Sequence, residues 1–286
     1  LQNVKRNLER RRSILIRNIF IYLFLIICSI LCILPLLWMI STSLKSSNII
    51  FQVPPEWFPH SFHWQNYAKA VTEISFLKYF CNTTIITAIR VFAEVFVSAM
   101  VAYGFAKFNF PGKNIWFLIL LSTIMLPSEV TLIPVFNMFT RLNWINTFLP
   151  LTVPCFFGGQ AVFVFLLRQF FMCQPNELME AATLDGANKF QIFYKIYLPI
   201  SKPALITIGI MSFQGSWNDL LGPLMYLNDS SKFTLQLGLA MFNGAQKVEW
   251  GPLMAASLLV LLPMLILFFT CQKYFVEGIS FTGTKG

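Results

Sequence analysis

Arg90 and Glu94 stand four residues apart inside a long apolar stretch, so one helical turn would set a guanidinium against a carboxylate. Charges at membrane depth are costly, and they pair or turn to a bundle interior. Two readings of this pair stand open: a structural ion pair, or a contact from Arg90 to an acidic ligand. Glu129 sits beside Pro127 in a second apolar stretch. Its carboxylate could accept hydroxyls in a polar cavity, or serve a gate or the structure alone. Trp217, Asn218 and Asp219 are consecutive in a third. The indole could stack on a ligand ring or simply pack, and Asp219 could cap or buttress its helix. Arg90, Glu129, Trp217, Asn218 and Asp219 are therefore the candidate lining of a pathway for a polar solute.

Other chemistries find no residues here. The cysteines Cys28, Cys32, Cys81, Cys155, Cys173 and Cys271 lie mostly in apolar runs, without a C-x-x-C or a Cys/His cluster, so no metal site is expected. His60 and His63 read as ordinary residues of a Pro- and Trp-rich loop. No G-x-x-x-x-G-K-[ST] phosphate loop occurs, so the chain is not expected to bind or hydrolyse ATP, and no bound cofactor is expected.

The elements that must position these residues follow from composition. Hydrophobic residues make up 56% of the 286 and charged ones only 12%, about half the charged share of a soluble domain. The mean hydropathy is +0.65. Such a chain puts apolar surface into lipid. A membrane-spanning helix needs roughly 20 mainly apolar residues, and six stretches qualify: about 16–39, 77–105, 116–139, 148–171, 204–227 and 253–275. The first is too long for the apolar core of a signal peptide and reads as a retained span. Residues 1–15 form a cytoplasmic segment and 16–286 a single transmembrane domain. Pro127 and Pro134 should kink or break the third span; Gly158 and Gly159 fall mid-way in the fourth. The expected fold is all-α and polytopic, with six transmembrane helices.

The net charge of +9 is a matter of sidedness. Lys5, Arg6, Arg10, Arg11, Arg12 and Arg17 cluster before the first span, with no basic stripe interleaved with aromatics, so nucleic acid is not an expected partner. With residues 1–15 inside, Lys107, Lys113, Arg168, Lys189, Lys195, Lys202, Lys273 and Lys285 also fall inside, against a smaller outer set of Lys45, Lys69, Lys78, Arg141, Lys232 and Lys247. The bias places both termini in the cytoplasm. Outer loops are expected at about 43–76 and 228–250.

One inner loop, 172–202, is polar and has helical punctuation. Pro175 suits the first turn of a helix, Glu177 and Glu180 suit its positive end, and Gly186 is placed to end it. A second short helix should run to Tyr197, stopped by Pro199. Leu178, Ala181, Ala182 and Asp185 share a face, and Ala181, Ala182 and Gly186 are small enough for another surface to approach. Phe190, Phe193 and Tyr194 supply an apolar face.

The pattern Glu180-Ala181-Ala182, three residues, Gly186, nine residues, Ile196, one residue, Leu198-Pro199 resembles the EAA loop of binding-protein-dependent ABC importer permeases. Similar stretches extend over nearly the whole chain: Ala102 to Phe108 with Phe110-Pro111-Gly112, Thr131-Leu132-Ile133-Pro134, Phe165 to Phe171, Gly215-Ser216-Trp217-Asn218-Asp219, Gln272 to Gly278, and Lys285-Gly286. They are similar to the second permease of maltose-like oligosaccharide importers.

That resemblance implies a type I ABC importer fold in a bacterial inner membrane. It implies coupling helices that dock on a cytoplasmic ATPase through Glu180, Ala181, Ala182, Asp185, Gly186, Ile196, Leu198 and Pro199, and a tail contact through Lys285 and Gly286. The partners it implies are a second permease, two ATPase subunits carrying ATP and Mg, an extracytoplasmic solute-binding protein, a saccharide and membrane lipid. A glycerol-phosphate or other polar-solute importer is the alternative within the class. A secondary transporter is the alternative outside it; that class usually shows repeated halves and no EAA loop.

Overall fold

A computed structural model describes residues 2–242 and 248–283, with side chains described for 14–242 and 248–273. Every regular element among the described residues is helical. In chain order they are α1 (Gln2–Ser43), α2 (Gln65–Thr72), α3 (Phe76–Lys107), α4 (Lys113–Ser122), α5 (Ser128–Arg141), α6 (Leu149–Thr152), α7 (Ala161–Met172), α8 (Glu177–Leu184), α9 (Lys189–Ile192), α10 (Leu198–Ile200), α11 (Lys202–Trp217), α12 (Leu221–Tyr226), α13 (Leu235–Met241) and α14 (Trp250–Gly283).

Among the described residues, four stretches are long and apolar enough to cross a membrane: Ile14–Ser43, Phe76–Lys107, Leu149–Met172 and Trp250–Lys273. The number reaches six if each of two bent pairs counts as one span, Lys113–Met125 with Ser128–Arg141 at 98° and Lys189–Ile200 with Lys202–Trp217 at 79°. The third expected span is thus two helices meeting at Leu126 and Pro127, where the ring removes a backbone donor. Pro134 sits inside α5 without ending it. The fifth expected span, 204–227, is also two pieces. Its helix α11 stops at Trp217, and α12 starts afresh after Asn218, Asp219 and Leu220.

Two compact units make up the chain: residues up to Glu73 with Phe242–Leu259, and Ile74–Met241 with the chain from Val260 on. In the first, none of the most apolar window of α1 is buried. The loop that follows is tied to the end of α1: Asn66 Nδ2 donates to the carbonyls of Ser43 (2.9 Å) and Lys45 (2.8 Å), and the Ser43 and Tyr67 hydroxyls share a bond of 2.9 Å. Lys45 is buried, donates to the Glu56 carbonyl and stands 4.5 Å over the Trp38 ring. Burial lowers its pKa, and the nearby Glu56 charge opposes that shift.

In the second unit α3 is central, packed mainly on α7 and α11. Ala99 and Ala102 let α7 approach, and Phe163, Val164, Leu167 and Phe171 fill the seam. The fourth span is interrupted at Phe157–Gln160. Gly158 and Gly159 both take positive φ there (85° and 68°), which glycine alone adopts without strain. Their surroundings differ. A Cβ on Gly159 would stand 2.7 Å from Ser98 Oγ and 3.0 Å from the Ser98 backbone, whereas one on Gly158 meets nothing within 4 Å. Gly159→Ala is therefore expected to cost about 3 kcal/mol, strain plus overpacking, and Gly158→Ala about 1 kcal/mol, strain alone. Thermal unfolding in detergent should order the midpoints wild type, Gly158→Ala, Gly159→Ala.

At the other end of this unit, Ile86, Phe139, Leu151, Tyr226, Leu227 and Leu237 form a second cluster. Asn146 knits it together in a left-handed conformation, φ 60°. Its N–H donates to the Tyr226 carbonyl (2.7 Å), its side-chain oxygen accepts from the N–H groups of Asn228 (3.2 Å) and Asp229 (3.1 Å), and its carbonyl accepts from Lys232 (2.6 Å).

Candidate functional site

The polar loop folds as two short helices and a bend. Asn176 precedes α8, so Pro175 leads into the first turn and does not lie within it. Glu177 and Glu180 occupy that turn, where the helix dipole favours anions. The far end is closed by glycine, as expected. The Ala187 N–H reaches back to the Ala182 carbonyl (2.9 Å) and the Gly186 N–H to the Thr183 carbonyl (3.1 Å), with Gly186 at φ 82°. This is the Schellman arrangement. A capping box the sequence reading passed over then starts α9. Asn188 Oδ1 accepts from the Gln191 N–H (2.8 Å), and Gln191 Oε1 accepts from the Asn188 N–H (2.9 Å). The spacing Asn-x-x-Gln was the available signal.

The second helix does not end at Tyr197. After α9 it widens into a π turn over Phe193–Tyr197 and continues through Pro199 to Ile200. A proline has no N–H to give an α-helical bond, and the chain bends only after it, near Ser201.

Burial corrects which faces are free. Ala182 is buried with Ile192 and Phe193 in the α3–α7 core, while Ala181, Glu180, Asp185 and Gly186 are exposed. Ala182 and Phe193 therefore hold the loop to the spans and do not present it. The most exposed apolar residues of the loop are Leu184 at 90%, Phe190 at 62% and Tyr194 at 64%. Leu184 was not singled out in the sequence because it breaks the small-residue pattern around it. Ile196 and Leu198 are half-buried against the same core, and Pro199 is exposed.

Tyr103 near the end of α3 is the bolt. Its ring meets Phe171 of α7 and Phe193 and Tyr197 of the π turn, at 6.2, 5.1 and 5.1 Å between centroids. Its hydroxyl donates to the Lys189 carbonyl (3.3 Å). Lys107, one turn on, donates to the Gln174 carbonyl (2.8 Å) and to Asn176 Oδ1 (2.9 Å). Burial of four aromatic rings contributes about 1.5–3 kcal/mol each. Loop and spans are accordingly one packed body.

The second candidate region is a polar ladder between α3 and α11. The Thr87 and Ser216 hydroxyls share a bond of 3.0 Å. Arg90 lies 3.5 Å from Glu94 Oε1 and donates to Asp219 Oδ2 at 3.0 Å. Glu94 accepts further from the Ser212 hydroxyl (2.7 Å) and the Cys155 thiol (3.4 Å). Asp219 Oδ1 accepts from the Gly222 N–H (3.0 Å), which opens α12. Arg90 is thus a shared structural cation, committed to two carboxylates, and Asp219 serves both as its counter-ion and as a cap at the α11 break. Thr87, Cys155, Ser212 and Ser216 were missed from sequence. Polar residues at 87, 90, 94 and 98 on one helix and at 212, 216 and 219 on the other lie at helical spacing, and that was the signal.

Trp217 is 3% exposed. Its indole N–H donates to the Val260 carbonyl (3.0 Å), and its ring lies between Phe80 and Phe213. It is packing, not a surface open to a sugar ring. Asn218 is exposed, bonded to the Gln214 carbonyl (3.1 Å) and within 3.4 Å of Gln236. Glu129 is exposed in the first turn of α5, accepts from its neighbour Ser128 (3.1 Å), and is not joined to the ladder. Lys285 and Gly286 lie outside the described residues.

Residues 94–281 match the family described as binding-protein-dependent transport system inner membrane component. The chain belongs to that family. Relatives of this inner-membrane component include the probable ABC transporter permease protein YurM of Bacillus subtilis, 34% identical over 100% of this chain and 94% of its own. The arabinooligosaccharides transport system permease protein AraQ of the same species is 31% identical over 94% and 96%. The sn-glycerol-3-phosphate transport system permease protein UgpE of Yersinia pestis is 31% identical over 95% and 98%. The fold matches the crystal structure of a bacterial ABC transporter involved in the import of the acidic polysaccharide alginate, with a TM-score of 0.79, 24% identity and coverage of 92% of this chain and 98% of that one. The inner-membrane component thus carries its polar loop as an exposed tip on a buried root.

Proposed function

We propose that this chain is the permease subunit of an ATP-driven, binding-protein-dependent importer of sugars, with an oligosaccharide as substrate. The supporting observation is α8 and α9 themselves: a capped helix pair with an exposed apolar tip, rooted in the α3–α7–α11 core through Tyr103. Such a tip docks into a cleft on a cytoplasmic ATPase. Covering Leu184, Phe190 and Tyr194 supplies the adhesion, about 1.5–3 kcal/mol for each side chain fully removed from water.

ATP and Mg reside on two ATPase subunits, and a second, homologous permease completes the pathway. An extracytoplasmic binding protein delivers the sugar, and both termini of this chain are cytoplasmic. When the ATPases close, the helix pair moves with the three spans to which it is packed. The breaks at Leu126–Pro127, Phe157–Gln160 and Asn218–Leu220 let the remaining segments turn. The sugar biases one state only by binding it better. On this chain the exposed Asn218 and Glu129 are the groups left free to meet sugar hydroxyls, since Arg90 and Asp219 hold each other and Trp217 is packed.

The test is ATP hydrolysis by the whole assembly in proteoliposomes, with its binding protein, against a panel of solutes. An oligosaccharide should stimulate the rate several-fold and amino acids should not. The UgpE relative supports one other reading. Stimulation by glycerol 3-phosphate with none by oligosaccharides would replace the sugar with that ester, and stimulation by neither class would end the proposal.

A further inference from the structure

Near the root of the polar loop, on α4 and α7, two cations have no acid to answer them. Arg168 of α7 lays its guanidinium 4.0 Å over the Phe117 ring, and its Nε is buried without a hydrogen-bond partner. Lys113, the first residue of α4, donates to the Phe108 carbonyl (2.8 Å) and keeps two further N–H donors. Neither has a carboxylate within 4 Å among the described residues.

Both residues line one cavity of about 580 Å³, together with Asn109, Gly112 and Asn114, and no acidic residue takes part in its wall. The first turn of α4 is in that wall; the Lys113 N–H is bonded to the Phe110 carbonyl (3.3 Å), and the helix dipole adds to the positive field there. A second cavity of about 570 Å³ shares Phe110 with the first and is walled by Trp116, Ile119, Leu120 and Phe105.

Cationic and apolar halves joined at Phe110 fit an amphiphile with an anionic head. We propose that this paired cavity binds one anionic phospholipid. Its phosphodiester lies between Arg168 and Lys113, its headgroup hydroxyls reach Asn109 and Asn114, and an acyl chain runs along Trp116 and Ile119. A soluble phosphate would satisfy the two cations equally well, but it would leave the adjoining groove uncovered. The groove is what selects the lipid. The position suits such a ligand: Lys113 opens one membrane-crossing stretch and Arg168 lies just before the last turn of another, so both stand near the level of lipid headgroups.

The experiment uses the full chain with its accompanying subunits, exchanged from detergent into nanodiscs of equal parts phosphatidylglycerol and phosphatidylcholine. It is then returned to mild detergent, and the retained lipid is counted by native mass spectrometry. Wild type should hold one phosphatidylglycerol that the Lys113→Gln/Arg168→Gln variant has lost by at least about fivefold. Ile119→Asp, in the apolar half, should lose it as well, while Arg168→Lys should keep part of it. Inorganic phosphate at 50-fold excess over the lipid should not displace it.

Equal retention by the double variant overturns the proposal. Loss from the charge variant with full retention by Ile119→Asp, or displacement by inorganic phosphate, reassigns the cations to a soluble anion and overturns the lipid. If the double variant does not assemble, Lys113→Gln alone carries the same comparison, because the half-exposed lysine has no packing partner comparable to the Phe117 ring.

Discussion

Arg90→Gln lowers the unfolding midpoint of the assembled protein by more than any other single substitution in the α3–α11 ladder, with a cost of about 3 kcal/mol. Removing this cation leaves Glu94 and Asp219 facing each other's field without a counter-charge. Breaking a fully buried pair in this way costs about 3–5 kcal/mol. The side chains here retain 22% exposure for Arg90, 11% for Glu94 and 23% for Asp219, so the lower end applies.

Asp219→Asn should be milder, about 1 kcal/mol, because the amide oxygen still accepts from Arg90 or from the Gly222 N–H while Glu94 remains paired. Arg90→Lys falls between, since an ammonium cannot address two carboxylates with one planar fork. Scanning fluorimetry, with the yield of folded chain from membranes as a check, reads this order. The same set separates the two readings of Arg90. A residue that contacts ligand would leave the midpoint unchanged and raise the apparent KM for the sugar. A wild-type midpoint in Arg90→Gln would therefore refute the structural assignment.

Gly186→Val is expected to abolish coupled transport while leaving the chain inserted and folded. At φ 82° a β-branched residue is strained by about 1–2 kcal/mol, and a Cβ at this position meets no neighbour within 4 Å. The strain is relieved by unwinding the end of α8, which shifts Leu184 relative to Phe190 and spoils the tip they form. Losing the cover of one such side chain weakens docking about 10- to 100-fold.

Co-purification of the ATPase from membranes should drop accordingly, and the α3–α7–α11 core should melt as in wild type. Gly186→Asn is the informative companion, because Asn enters the left-handed region with little penalty. It should retain most of the ATPase. Undiminished ATPase recovery with Gly186→Val would show that this loop does not hold the motor.

Much of this was readable before any coordinates. The hydrophobic runs located the spans, and Pro127 announced the third as broken because proline cannot supply the missing donor. The 98° bend was not readable, since its size depends on what each half packs against. The fifth stretch looked continuous because Leu220, Leu221 and Leu224 kept the window apolar. Asp219 was read as a candidate cap; Gly222-Pro223, in the first turn of α12, was the overlooked punctuation. In the polar loop, spacing located α8 and its glycine stop, but periodicity cannot say on which side the rest of the protein lies. That is why Ala182 was read as a point of approach for another surface when it is buried, and why the apolar face of Phe190, Phe193 and Tyr194 splits, with Phe193 buried. Tyr103 fell within a stretch that carries the family resemblance, but its packing role was not legible, because one tyrosine in a chain with 31 phenylalanines is conspicuous only once its neighbours are known.

The interrupted crossings have a consequence for how the cell handles the chain. Around Leu126 and Pro127 the i to i−4 ladder breaks; the Leu126 N–H falls back on the Thr123 carbonyl (3.3 Å), and acyl chains offer no partner to the groups left over. A newly made copy is therefore an uneasy resident of the bilayer until another polypeptide covers that corner.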